Sequence, residues 1–417
     1  MFTRLRRPLT LVRRPSVLAA LTVLLTCLPD GRADQAAAAH VTAADIASVG
    51  LILVAAACLA ARRATLPGRA LVLVPVVLAA TIATLASPDM FTSLPGHLRH
   101  IQIFVLIPLA VVVTLRDRVD AWLVGGALVA AAAVQGIIGC YQTLTGTGAS
   151  YGGERVRAVG TFGALDVMGM ATVVSYGAIV LLGAGLTLRG RPRGAALAGA
   201  ALLAVPLVLS LSRGAWLAMA CAGLVMLVMY GTRTAARVIM VTAAAGVLLV
   251  FGVGVGADTI GQRITSLTSS VTQPDQSVND RYDLWRTAAG MWRDHPVTGV
   301  GPRRFAALRD SYAPASLSSS SDTDDPVHGF QRQPLLSPHN MYLLVLSEQG
   351  VLGLVAFTLM LAALLLWAVT RAGLVVAGLL TWVSVDFAYS DIGGLPTLVT
   401  AVVLGVGLSW AAGGWAR

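Results

Sequence analysis

Ser337-Pro338-His339-Asn340-Met341-Tyr342-Leu343 is where a long polar segment ends and an apolar run begins, and that run continues to Val369. A membrane crossing takes roughly 20 apolar residues at 1.5 Å rise each. The run from 341 to 369 exceeds that length. It is continuous rather than alternating, so it predicts a spanning helix and not a barrel strand. Toward both ends of the chain the same reading finds apolar spans near 15–29, 41–61, 69–86, 99–115, 119–144, 163–188, 194–211, 214–230, 235–257, 372–389 and 393–412. Composition agrees: 56% of residues are hydrophobic, 12% are charged and the mean hydropathy is +0.76, whereas soluble domains carry about 25% charged residues. The expected fold class is all-α, a polytopic membrane protein with about twelve transmembrane helices. One long extracytoplasmic loop is expected to contain amphipathic helices. Residues 1–257 would hold the first nine helices, 258–338 the loop, and 339–417 the last three.

Arginine placement orients the chain through the positive-inside rule. With a cytoplasmic N-terminus, the inside segments hold Arg4, Arg6, Arg7, Arg13 and Arg14, then Arg62, Arg63 and Arg69, Arg116 and Arg118. Arg189, Arg191, Arg193, Arg233, Arg237, Arg371 and Arg417 complete that set. The short outside loops hold Arg32, Arg99, Arg155, Arg157 and Arg213. Both termini are therefore expected inside, and the loop from Asp258 to Pro338 outside. The first span reads as a retained signal-anchor helix, with a cleaved signal peptide as the alternative. Ser316 to Ser321, with Asp322, Asp324 and Asp325, is a low-complexity stretch expected at a mobile loop tip.

The net charge is +10, and the 30 basic residues include no lysine. These arginines are scattered between apolar runs, so no nucleic-acid partner is expected; the partner that composition implies is the lipid bilayer. Cys27, Cys58, Cys140 and Cys221 all lie in apolar runs without CxxC spacing, which argues against a disulfide framework or zinc site. His295, His328 and His339 are too far apart for a metal motif, and no metal or cofactor is expected.

Chemistry is expected where the polar loop meets the membrane. Arg213 lies in the short turn Ser210-Leu211-Ser212-Arg213-Gly214-Ala215-Trp216. A membrane-edge arginine ordinarily snorkels to headgroups, but one locked in so short a turn needs an anionic partner. A guanidinium forks onto phosphate through parallel hydrogen bonds. Arg281 is expected to open a helix over 281–294, capped by Asn279 or Asp280, with Pro296 beyond its end. Leu284, Trp285, Ala288, Met291 and Trp292 make its apolar face, which suggests a helix on the bilayer surface. A solvated loop arginine is the alternative for Arg281. His339 is expected in the first turn of the next helix, after a Ser337 cap and Pro338 at the first helical position. The positive helix end would keep its ring neutral and able to act as a base; an interfacial cap is the alternative. Glu348 and Gly350 are expected to end a short first helix, and helical spacing puts Glu348 opposite His339.

Taken together, Ser212-Arg213-Gly214, Arg281-x-x-Leu284-Trp285, Asp294-His295-Pro296-Val297-Thr298-Gly299-Val300-Gly301, His339-Asn340-x-Tyr342-Leu343 and Glu348-x-Gly350 resemble the O-antigen ligase and O-antigen polymerase superfamily of bacterial membrane glycosyltransferases. The resemblance implies a protein of the bacterial cytoplasmic membrane with its active site on the outer face. The donor would be an undecaprenyl-pyrophosphate-linked glycan and the acceptor a glycan or glycolipid. It also implies metal-independent transfer, with Arg213 and Arg281 on the pyrophosphate and His339 assisting the acceptor hydroxyl. Arg157, Asn340 and Glu348 are secondary candidates. Arg157-x-x-Gly160-Thr161-Phe162 resembles a family element that often continues into Pro-Asn, but Asp166 stands here in place of that Asn.

Ligase and polymerase both remain open. Many such polymerases carry Arg-x10-Gly in outside loops, and no arginine of this chain has that spacing, which favours ligase. A transporter would need paired carboxylates or broken helices at mid-membrane; Asp45, Asp166 and Asp386 lie near expected span ends instead. A purely structural role leaves the loop and His339 without a purpose.

Overall fold

The computed structural model describes residues 14–29, 41–151, 156–163, 166–238, 240, 276–318, 320–325 and 329–413. Its helices are α1 (Val17–Leu25), α2 (Ala43–Ala60), α3 (Gly68–Ala86), α4 (Met90–Thr114), α5 (Arg118–Thr145), α6 (Val167–Thr187), α7 (Arg191–Leu209) and α8 (Arg213–Tyr230). After these come α9 (Gln276–Asp294), α10 (Arg304–Tyr312), α11 (Met341–Thr370), α12 (Leu374–Asp386) and α13 (Pro396–Ala411). Among the described residues, 8 helices are long and apolar enough to cross a membrane: α2 to α8 and α11. Helices α12, of 13 residues, and α13, of 16, are apolar but shorter. The expected first span shrinks to the 9 residues of α1. The span expected at 235–257 falls mostly outside the described residues, as do 258–275.

Local signals set these boundaries. Thr42 and Asp45 form a capping box at the start of α2, and Asp117 and Asp120 form another at α5. Each box satisfies amide donors that a helix start leaves open. Helix α5 ends on Gly146, left-handed at φ 71. Leucines such as Leu53, Leu78, Leu202 and Leu359 stay exposed on the bundle surface, as helices facing lipid require.

The polar loop holds more structure than expected. Strand β2 (Ser320–Asp325) and strand β3 (Gly329–Pro334) form an antiparallel hairpin, and β1 (Ser150–Tyr151) adds to β2 with Ser150 opposite Asp324. The stretch expected as a mobile tip is thus partly a strand, and ladder pairing overrides its poor intrinsic preference. The fold remains overwhelmingly helical.

The floor under the loop is an aromatic and polar knot. Phe104 of α4, Phe357 of α11 and Phe387 after α12 pack edge to face or tilted, with ring centroids 5.2 to 6.2 Å apart. Tyr176 of α6 meets Trp382 of α12 at 4.9 Å, and its hydroxyl lies 2.8 Å from that of Thr400 on α13. These contacts hold α12 and the turn after it against α4, α6, α13 and the middle of α11.

Helix α11 carries a break inside it. Gly350 has φ 65 and ψ −164, and the segment 296–301 docks into the break. Val351 N–H donates to Pro296 O at 2.9 Å, Val300 N–H to Ser347 O at 3.0 Å, and Gly301 N–H to Glu348 O at 2.9 Å. A Cβ on Gly350 would lie 2.2 Å from Val297 O, and one on Gly299 2.3 Å from the Glu348 carbonyl carbon. Backbone meets backbone here, so only glycine fits.

Candidate active site

His339 sits where the polar segment turns into α11, but not as the sequence suggests. The cap of α11 is Asn340, whose side chain accepts from Leu343 N–H at 3.1 Å. Neither Ser337 nor Pro338 begins the helix. His339 precedes the cap with φ 47, a left-handed conformation uncommon outside glycine. Such a residue persists only where its surroundings hold it, and both neighbours are held. The Trp285 indole N–H donates to Pro338 O at 3.0 Å. The Asn340 amide donates to Ala388 O at 3.1 Å, while Met341 N–H reaches Phe387 O at 2.8 Å and Ser390 O at 2.9 Å. Asn340 is therefore a cap and an anchor.

Arg281 comes from α9, which begins at Gln276, earlier than expected, so Asn279 and Asp280 lie within the helix and do not cap it. The apolar face also differs from expectation. Leu284, Ala288 and Met291 are fully buried inside the protein, and Trp285 is tied to the start of α11, so the face serves internal packing and not the bilayer surface. This packing holds Arg281 one helical turn before Trp285.

Arg213 is the first residue of α8. Ser212 caps the helix by accepting from Ala215 N–H at 3.3 Å, and Leu211 turns the chain with φ 52. Gly214 lies beneath Tyr389: a Cβ there would be 2.9 Å from the tyrosine Cβ. Each residue of Ser-Arg-Gly thus has a separate task, and the arginine is carried beside the turn between α12 and α13.

The Arg157 backbone pairs with Ala149, its N–H donating at 2.7 Å and its carbonyl accepting at 3.0 Å, and glutamines of α5 hold the residues that follow. Gln142 accepts from Val159 N–H and Gly160 N–H at 3.1 and 2.8 Å, and Gln135 bonds Thr161 through both its amide atoms at 2.7 and 2.9 Å. Gly160 is left-handed at φ 63, and a Cβ would be 2.0 Å from Gln135 Oε1. Glu154 and Arg155 lie outside the described residues.

These pieces converge. Burial pushes the Arg281 guanidinium below its usual value, Arg157 and Arg213 add repulsion, and Asp391 and Tyr389 act the other way. An arginine still keeps its proton, so three positive groups share Coulomb reach. Burial likewise holds the His339 imidazole below its ordinary value; Asp391 opposes this and Arg281 reinforces it. Burial is the first cause of this lowering, and His339 lies before the helix cap rather than in its first turn. Glu348 is buried in the α11 break, where its Oε1 accepts from Phe305 N–H at 3.1 Å, a packing role.

Sequence reading missed Asp391 and Tyr389, and it noted Asp166 and Asp386 as acids near expected span ends and not as part of the site. Asp166 is pushed up to about 7 by burial and by the nearby Asp391 and Asp386. A small cavity beside these three carboxylates is lined by Thr172, Tyr176 and Ser390 as well. The available signal was Asp386 and Asp391 flanking one short turn, in a chain with only 20 acidic residues.

The arrangement can bind an anion at the arginines and move a proton at His339, with Asp391 placed to stabilise the imidazolium. Residues 198–358 match the Wzy_C family model, described as O-antigen ligase, a stretch that contains Arg213, Arg281 and His339. No curated protein matches the chain.

Proposed function

We propose, with residues 198–358 belonging to the O-antigen ligase superfamily of bacterial membrane glycosyltransferases, that this protein transfers a glycan from undecaprenyl pyrophosphate to an acceptor glycan or glycolipid. The carrying observation is that Arg281, on a helix tied through Trp285 to the residue before His339, lies within Coulomb reach of the His339 ring and of Arg157 and Arg213. Arg157 and Arg281 are half-buried and Arg213 is exposed; cations within reach of one another repel, and a doubly charged pyrophosphate relieves that repulsion. Arg213 and Arg281 hold the pyrophosphate, with Arg157 adding to the field.

The reaction is a single displacement. The acceptor oxygen forms a bond to the anomeric carbon while the bond from that carbon to the phosphate oxygen breaks. Its electron pair leaves on undecaprenyl pyrophosphate, and the hydroxyl proton passes to His339. The anomeric centre inverts. Donors preorganised toward the leaving group do without reorganisation what water must reorganise to do. A positioned base contributes roughly 10²–10⁴-fold. Asp391 favours the protonated ring that forms, and the left-handed backbone at His339 fixes its direction. The polyprenyl tail lies among the helices while the sugars remain in water at the outer face.

Ligase is favoured over polymerase because the chain lacks the Arg-x10-Gly spacing. Complementation in the native host separates them. With membrane levels matched, His339→Ala, Arg213→Ala and Arg281→Ala are expected to accumulate long lipid-linked chains without transfer. Accumulation of single repeat units would mean polymerase, and full activity in all three variants would refute the assignment.

A further inference from the structure

Beside His339, on the outer flank of α9, lies an open cleft of about 600 Å³ that includes Asn279, Tyr282, Asp283, Trp285, Arg286 and Leu343 in its walls. Ligand clefts commonly measure about 300–1,000 Å³. We propose that this cleft is the subsite for the acceptor glycan, taking the sugar whose hydroxyl is glycosylated and its neighbour. The inference rests on the transfer reaction proposed above.

The chemistry of the walls is that of a sugar site. Tyr282 and Trp285 stand edge to face, with centroids 5.5 Å apart and an interplanar angle of 87°. Together they offer two differently directed ring faces to the C–H faces of pyranoses, each ring with a polar edge. Tyr282 is 51% exposed, which leaves its ring open to a ligand. Buried Asp283 accepts from Arg286 at 3.1 Å and from the Ser316 hydroxyl at 2.6 Å. Its carboxylate is thus fixed, while the Arg286 side chain remains 75% exposed and can fork onto hydroxyls or an acidic sugar.

Position selects the acceptor over the donor chain. Trp285 is bonded to Pro338, the residue before His339, and Leu343 is one turn into the helix that His339 precedes. Whatever fills the cleft therefore lies close to the base, and the base must meet the acceptor hydroxyl. The pyrophosphate side is set by Arg157, Arg213 and Arg281 around the turn between α12 and α13.

The test uses the full-length protein in nanodiscs. The donor lipid fraction and the acceptor glycolipid fraction are extracted from host cells lacking this protein. Tyr282→Ala is expected to raise KM for the acceptor fraction about ten-fold, equivalent to the loss of one good stacking contact, with kcat and donor KM unchanged. Arg286→Ala should shift the same constant in the same direction. A rise in donor KM instead, or no change in either, would overturn the subsite. If wild-type protein transfers nothing from that donor fraction, the transfer reaction itself fails. The subsite is then judged by tryptophan fluorescence with the oligosaccharide freed from the acceptor fraction. Wild type must bind it and Tyr282→Ala must bind about ten-fold more weakly; equal binding, or none, sinks the subsite.

Discussion

At His339 the backbone and the ring are set by different forces. The left-handed backbone is held by the Trp285 bond to Pro338 on one side and the Asn340 anchor on the other. The ring is lowered below its ordinary value by burial, against Asp391 and with Arg281. A base works in its neutral form, so activity should persist as pH falls past the ordinary imidazole range and be lost only through the lowered value. Asp391→Asn removes the charge that raises the ring. It should slow turnover and move the acid limb of kcat/KM to still lower pH; an unmoved limb would contradict the contact. His339→Ala should cost roughly 10²–10⁴-fold in kcat. Arg213, Arg281 and His339 were singled out because they stand where polar segments meet apolar runs, and the family resemblance supplied the roles proposed for them. Asp391 was not, because its partners are distant in sequence and only the folded turn brings them together.

The elements explain why the recognisable blocks are blocks. Asp294 to Gly301 and Glu348-x-Gly350 are two halves of one clasp, in which backbone bonds close the break in α11. Gly350→Ala puts a Cβ against Val297 O at a left-handed φ. It should cost roughly 1–3 kcal/mol in backbone strain alone, seen as lower thermal stability of the detergent-solubilised protein. A melting temperature equal to wild type would show that the clasp does not matter. Asn340→Ala loses a cap worth about 1 kcal/mol, together with the tie to Ala388. Because that tie positions His339, kcat should fall more than stability does. Most span positions could be read from apolar length, since α2, α3, α5 to α8 and α11 fall where the runs fall, while α4 begins at Met90, well before the run expected from 99. The start of α11 was misread because Ser-Pro imitates a helix entry while the Asn340 cap does the work. The β hairpin was invisible because strand pairing depends on a partner, not on local preference.

The whole molecule carries the site on the polar side of a helical bundle, and the arginine distribution implies which side that is. Ala315→Cys, in the loop, should react with a membrane-impermeant maleimide in intact cells or spheroplasts, while Ala61→Cys, at the opposite end of α2, should react only after lysis. The reverse pattern would invert the topology. In the proposed mechanism arginines rather than a metal neutralise the leaving group, so transfer should be unchanged in excess EDTA, and loss of activity restored by a divalent cation would refute that. The most direct measurement follows product and leaving group together in nanodiscs loaded with the donor lipid fraction and acceptor fraction. Wild type should release one undecaprenyl pyrophosphate for each glycosidic bond formed, and His339→Ala and Arg281→Ala should lose both signals together. Bond formation without release of the pyrophosphate lipid, or both signals undiminished in the two variants, would contradict a site in which these arginines hold the leaving group and His339 takes the proton.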